Sequence, residues 1–124
     1  MNNRRKSPRI YFNDDERLNA EIVTRGEAPR SYIVPVLDLG LGGLHFSAPA
    51  ETHCTVGDKL SLTRLEGSKL CIESIAEIEV CWVVNNPEYK RIYLGCKFTE
   101  LPSSFEQAIA ELIRTTLSQS TEES

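Results

Sequence analysis

The segment from Leu70 to Val84 alternates between apolar and polar residues more clearly than any other part of the sequence. Its glutamates, Glu73, Glu77 and Glu79, share one parity. The apolar residues on the other parity are Leu70, Ile72, Ala76, Ile78, Val80, Trp82 and Val84. Because successive side chains of a strand point to opposite faces, this pattern predicts a long β-strand with one face in a core and the other in water.

Shorter segments of the same kind predict further strands over 18–22, 31–39, 44–47, 59–65 and 92–98. Pro35 lies inside the second of these segments and indicates a sheet edge or a bulge, because proline lacks the N–H that a central strand donates. About six consecutive strands joined by short turns favour a closed barrel, since closure leaves no exposed strand edge. The sequence therefore predicts an all-β fold, a six-stranded antiparallel β-barrel, with one added helix.

The helix is predicted near the end of the chain, where the apolar period changes from two to about 3.6. Ser103 and Glu106 have the spacing of a capping box, which indicates that the helix begins there. The apolar stripe that would pack on the barrel consists of Phe105, Ile109, Leu112, Ile113 and Leu117. This divides the chain into a flexible basic arm at 1–12, the barrel and helix at 13–117, and a disordered polar tail at 118–124.

Charge is distributed unevenly along the 124 residues. The net charge is −4, yet the arm carries Arg4, Arg5, Lys6 and Arg9 and no acid in the first nine residues. These four leave 10 of the 14 Lys and Arg for the rest of the chain, against 18 Asp and Glu. An acidic body would repel a long polyanion, so DNA is not expected as a partner. A small anion held by the arm fits better, and a solvated chain end is the alternative.

The cysteines do not form a metal-binding pattern. Cys54, Cys71, Cys81 and Cys96 contain no Cys-x-x-Cys pair, and the two histidines do not complete a ligand set with them. We therefore expect reduced thiols in a cytoplasmic protein, with no metal and no cofactor. No apolar run approaches the roughly 18 to 20 residues of a membrane-spanning helix.

Two short motifs are more specific in combination than alone. The first is Arg-x-x-x-Arg, formed by Arg5 and Arg9 in the arm. The second is the segment Asp38-Leu39-Gly40-Leu41-Gly42-Gly43, between two predicted strands. Occurring in this order before a barrel and a terminal helix, they make the chain resemble the PilZ domain family, bacterial receptors for cyclic di-GMP. The resemblance extends from Arg4 to about Leu117.

The resemblance implies a fold and a ligand site. The family fold is a six-stranded antiparallel barrel with a C-terminal helix, as the periodicity also suggests. Arg5, Arg9, Asp38 and Gly43 match the family motif, and Gly40 occupies the position of its serine. Arg4 precedes the motif, a placement that in the family tends to accompany an intercalated ligand dimer. The loss of the serine hydroxyl is expected to weaken binding of cyclic di-GMP about ten- to hundredfold.

The residue chemistry at these positions suits the ligand. An arginine guanidinium can grip a phosphate with two donors, donate to guanine O6 and N7, or stack on a purine. Asp38 can accept from guanine N–H groups, and Gly42 and Gly43 allow close backbone approach. Trp82 is either a core residue or a wall of the ligand pocket. His45 either approaches the edge of the ligand or is a surface histidine.

We therefore expect a receptor or adaptor rather than an enzyme. In this hypothesis cyclic di-GMP orders the arm on the barrel, and an unidentified effector protein reads the new surface. One alternative is a degenerate PilZ-like module that binds only proteins. Another is a binder of nucleic acid or anionic membranes that uses the basic arm, which predicts steep salt dependence.

Overall fold

The computed structural model describes residues 8–12, 16–68 and 70–123, with side chains described as far as residue 116. The chain forms seven strands, a short 3-10 helix at Ala50–Thr52 and one α-helix. The strands are β1 (Arg9–Tyr11), β2 (Leu18–Thr24), β3 (Ser31–Gly40), β4 (Gly43–Pro49), β5 (Lys59–Gly67), β6 (Cys71–Asn86) and β7 (Arg91–Glu100), and the helix is α1 (Ser103–Glu123).

The predicted barrel is confirmed. Strands β3, β2, β5, β6, β7 and β4 are neighbours in that order, and β4 pairs back to β3, so six antiparallel strands close on themselves. The additional strand β1 pairs with β3, with Arg9 opposite Gly40 and Tyr11 opposite Asp38. Residues 9–11 were predicted to belong to the flexible arm, because a three-residue strand is too short to show a period.

Strand β3 is shared by three partners. Its first half pairs with β2, and its second half pairs with β4 on one side and with β1 on the other. The register with β4 shifts between Val36 and Asp38, next to Pro35, where a sheet edge or bulge was expected. This exchange of partners places Asp38 between Tyr11 of β1 and His45 of β4.

One part of the predicted core pattern is wrong. Ala76, Ile78 and Val80 of β6 are buried as expected, but Trp82 is 41% exposed and Val84 is 54% exposed. The register between β6 and β7 shifts between Val80 and Trp82. A bulge adds one residue to a strand and so exchanges its two faces beyond that point. Trp82 therefore lies on the outer surface of the barrel.

Helix α1 begins at Ser103, where it was expected, and extends beyond the predicted end at Leu117. No proline or glycine follows Leu117 to end a helix earlier. The helix packs against β6, β3 and β1. Its buried residues Phe105 and Ile109 are fully inaccessible to solvent, and each such side chain contributes about 1.5–3 kcal/mol to stability.

The closure of the barrel predicts that two adjacent glycines, Gly42 and Gly43, differ strongly in how far substitution by alanine lowers stability. A Cβ on Gly43 would lie 2.1 Å from the carbonyl oxygen of Cys96 and 2.9 Å from Cα of Lys97, whereas a Cβ on Gly42 would meet nothing within 4 Å. We expect Gly43→Ala to lower the free energy of unfolding by about 3 kcal/mol or more, because the β4–β7 pairing must shift.

Gly42→Ala is the matched control and should change stability by less than about 0.5 kcal/mol. Urea denaturation followed by circular dichroism measures both values. Equal stability of the two variants would contradict the proposed close approach at Gly43.

Candidate functional site

The centre of the candidate site is the carboxylate of Asp38, which is 7% exposed. Nε of Arg9, on β1, donates a hydrogen bond of 2.8 Å to Oδ1. Nδ1 of His45, on β4, lies 3.1 Å from Oδ2. A buried carboxylate is costly unless it is paired and hydrogen-bonded, and here each oxygen has its own partner.

Arg9 is held at several points along its side chain. Its Nη2 lies 2.6 Å from Oδ1 of Asp38 and donates to the carbonyl oxygen of Gly43 at 3.4 Å. Nη1 has no hydrogen-bond partner among the described residues, and the Arg9 side chain is about one-third exposed. The strands therefore fix the edge of the guanidinium formed by Nε and Nη2, and no described residue is bonded to Nη1 on the other edge.

Gly40 lies directly under this arginine. A Cβ at this position would be 3.0 Å from the carbonyl oxygen of Pro8 and 3.3 Å from Cγ of Arg9. Such distances are tighter than ordinary van der Waals contact, so a side chain here would press the segment Pro8–Arg9 outward by a few tenths of an ångström. Glycine at position 40 thus permits β1 to lie close to the end of β3.

Trp82 forms one wall of the site. It lies opposite Gly95 of β7, and a Cβ on Gly95 would be 2.2 Å from the indole Nε1. The indole therefore packs closely against the strand at a position where no side chain intervenes. Its ring centroid is 4.6 Å from that of His45, with an interplanar angle of 70°. This edge-to-face contact holds the indole beside the Asp38 cluster while leaving much of it exposed.

These groups surround an open cleft with a volume of about 500 Å³. That size is within the range of about 300–1,000 Å³ that is usual for small-ligand sites. The lining residues are Arg9, Tyr11, Asp38, Gly42, Gly43, Leu44, His45, Cys81, Trp82, Gly95, Cys96 and Lys97. Arg9 and Lys97 supply positive charge, and Trp82 and Tyr11 supply exposed aromatic surface.

The structure brings together most of the site residues that the sequence suggested. Arg9, Asp38, Gly42, Gly43 and Trp82 line the same cleft. Gly40 lies against Arg9 rather than in the cleft lining. The other two, Arg4 and Arg5, lie outside the described residues.

Strand β7 contributes residues to the cleft that were not predicted from the sequence. Gly95 and Lys97 reach the cleft because β7 pairs with β4, which places Lys97 opposite Gly43 and Gly95 opposite His45. No sequence motif marks either residue. The cross-strand register alone identifies them.

The four cysteines differ in exposure, and two of them, Cys81 and Cys96, line the cleft. All four are free thiols; Cys71 and Cys81 are exposed and Cys54 and Cys96 are buried. Burial raises the pKa of the Cys96 thiol to about 12, with smaller contributions from Cys54 and Cys81. Burial, and then the charge of Asp58, raises the pKa of Cys54. In the described part of the chain, no three His, Cys, Asp or Glu residues converge where they could hold a metal ion.

Comparison with known families identifies the class of this domain. The family model for the PilZ domain matches residues 3–115, which is nearly the whole chain. The chain therefore belongs to the PilZ domain family, as the two motifs suggested. PilZ domains are ligand-binding receptors. No curated protein matches the chain.

Solved structures agree with the fold. The MrkH–c-di-GMP complex of K. pneumoniae superposes with a TM-score of 0.72 at 12% identity, covering 100% of this chain and 57% of that one. The Bacillus subtilis inhibitor of motility, MotI/DgrA, gives 0.69 at 16% identity, with coverage of 94% and 53%. The PilZ domain of Escherichia coli YcgR with c-di-GMP gives 0.64 at 13% identity, with coverage of 98% and 97%.

The chain thus spans little more than half the length of MrkH and MotI, but nearly all of the isolated YcgR domain. At these identities the likeness establishes the fold. Within the region that the structure describes, no helix is both long enough and apolar enough to cross a membrane.

The exposure of the thiols predicts their reactivity. Because the thiolate is the reactive form and burial keeps Cys54 and Cys96 protonated, only Cys71 and Cys81 should react quickly with Ellman's reagent near neutral pH. Two thiols should therefore react quickly in the native protein, and all four should react in the denatured protein. Rapid reaction of all four in the native protein would show that Cys96 is accessible and its pKa ordinary.

Proposed function

We propose that this PilZ domain is a receptor for cyclic di-GMP, which it binds in the cleft between Arg9 and Trp82. The observation that carries the proposal is the guanidinium of Arg9, fixed on Asp38 and Gly43 with no described residue bonded to Nη1, beside an exposed indole. Family membership supports the ligand class. Two of the similar structures, MrkH and the YcgR domain, are c-di-GMP complexes.

Each group in the cleft has a distinct role in this proposal. Nη1 of Arg9 donates to a phosphate oxygen or to guanine, and its planar face stacks on a purine. Lys97 adds a point charge for the second phosphate. Trp82 offers its exposed ring to a base. Asp38 holds Arg9 and keeps acceptor capacity for guanine N–H groups, because a carboxylate has about four lone-pair sites.

Arg4 and Arg5 complete the site in this proposal. They precede Arg9 in the chain, and a short basic segment upstream of β1 can close over a ligand seated at Arg9. Binding neutralises the charge of the segment and orders it over the cleft, beside Asp38 and Gly43. An effector protein then recognises the ordered surface, with no catalytic step.

Isothermal titration with cyclic di-GMP tests the role of the arm. We expect Arg9→Ala and Arg5→Ala each to weaken binding about ten- to hundredfold, because each removes charge-assisted hydrogen bonds to the ligand. Arg9→Lys should be nearly as weak as Arg9→Ala, since an ammonium cannot hold Asp38 and Gly43 and also present a planar fork.

Arg30→Ala is the control for the loss of one positive charge, because Arg30 is exposed on the β2–β3 turn, outside the cleft. It should bind like the wild type, and circular dichroism should show that all variants are folded. Equal affinity of the wild type, Arg9→Ala and Arg5→Ala would remove the arm from the mechanism.

Gly40 favours one second candidate, a degenerate PilZ-like module that contacts only proteins. The family motif has serine here, and a Cβ would lie 3.6 Å from Nη1 of Arg9. Under the receptor proposal the wild type binds, and Gly40→Ser improves affinity by no more than about tenfold, since the hydroxyl gain is offset by pressure on Pro8. A wild type that gives no heat at high micromolar ligand, with binding restored in Gly40→Ser, would favour the protein-only module.

A further inference from the structure

His45 has two specific contacts and one unpaired atom. Its Nδ1 lies 3.1 Å from Oδ2 of Asp38, and its ring packs edge-to-face on Trp82. Its Nε2 is buried and has no hydrogen-bond partner in the part of the chain that is described. The side chain is 27% exposed and lies on the outer face of the barrel, opposite Asp38 on one side and Gly95 on the other.

These contacts select one tautomer of the ring. With the proton on Nδ1, the ring donates to the carboxylate and leaves Nε2 as a bare acceptor. With the proton on Nε2, two acceptors would face each other across 3.1 Å and a buried N–H would have no partner. The Nδ1–H tautomer is therefore the neutral form that fits, and His45 is a hydrogen-bond donor to Asp38.

The carboxylate needs this second contact because its torsion is soft. The terminal torsion of an aspartate has broad minima, so a carboxylate held through one oxygen can turn about its Cβ–Cγ bond. Arg9 holds Oδ1 and His45 holds Oδ2, from strands on opposite sides of β3. With both oxygens held, the plane of the carboxylate is fixed, and so is the guanidinium that rests on it.

We propose that His45 is a positioning residue of the site: it fixes Asp38, and through Asp38 the orientation of Arg9, while Trp82 supports its ring. This inference rests on the proposed function, because the arginine that it orients is the one we assign to the ligand. A guanidinium already held in its binding orientation loses less freedom when the ligand arrives, which improves affinity without any contact between His45 and the ligand.

Three substitutions separate the donor from the volume of the ring. His45→Asn keeps an N–H near the position of Nδ1. His45→Leu has a comparable volume and no donor. His45→Gln keeps polarity but places its amide nitrogen near the position of Nε2, away from Asp38. Each is made in the wild type and in the Arg9→Ala background.

In titrations with cyclic di-GMP, we expect the affinity of His45→Asn to stay within about threefold of the wild type. His45→Leu and His45→Gln should bind about tenfold more weakly, because each loses one hydrogen bond to a charged group. In the Arg9→Ala background the three variants should differ little, because the group that they orient is gone. Full loss in both backgrounds would mean that His45 acts independently of Arg9 and would overturn the proposal.

A ligand-free measurement separates failure of this inference from failure of the proposed function. The ¹⁵N-labelled Nε–H group of Arg9 should give a protected NMR signal in the wild type and in His45→Asn, and should exchange faster with water in His45→Leu and His45→Gln. A wild type that binds no cyclic di-GMP would refute the proposed function. The NMR signal would still test whether His45 holds Asp38 and Arg9 in position. An unchanged signal in His45→Gln, or in His45→Leu where that variant folds, would overturn it.

Discussion

The ion pair between Arg9 and Asp38 is the interaction on which the site depends. Asp38 and Ser47 are the buried polar residues in the described part of the chain, and a buried carboxylate must be paired to be tolerated. The partners come from two different strands, Arg9 from β1 and His45 from β4. Satisfying one carboxylate therefore aligns three strands on the outer face of the barrel and, in the same step, presents a guanidinium to the cleft.

The site also requires strands and side chains to lie very close together, which is possible only where glycine leaves out a Cβ atom. Gly43 lets β4 lie against the backbone of β7, Gly95 lets the indole of Trp82 lie against its own strand partner, and Gly40 lets Pro8 and Arg9 lie over the end of β3. Each glycine removes a Cβ that would otherwise occupy the space of a site residue. The cleft is thus shaped by missing side chains as much as by the charged and aromatic groups that line it.

The sequence predicted the barrel and the helix because periodicity is a local property, whereas the meeting of two distant motifs was implied by the family resemblance. Alternation of apolar and polar residues identified β6. The resemblance linked Arg9 to Asp38, and in the structure a hydrogen bond of 2.8 Å joins these two side chains. Prediction from the sequence failed where the position of a residue depends on the register between paired strands. One bulge after Val80 moved Trp82 to the outer face, and the pairing of β4 with β7 brought Lys97 to the cleft.

His45 illustrates the same limit. From sequence it was a surface histidine or a residue at the ligand edge, because its distance from Asp38 along the chain carries no information about the β3–β4 register. The fold places it directly opposite Asp38. Its role follows from that pairing and from the torsional freedom of a carboxylate, neither of which can be read from residue spacing.

A crystal structure of the protein with cyclic di-GMP tests the central claim most directly. We predict a purine or phosphate of the dinucleotide in contact with the guanidinium of Arg9, beside the indole of Trp82, with the hydrogen bond from Arg9 to Asp38 retained. Dinucleotide bound elsewhere, for example in the separate groove lined by Arg25, Arg30 and Lys59, with the Arg9 cleft empty, would contradict the account.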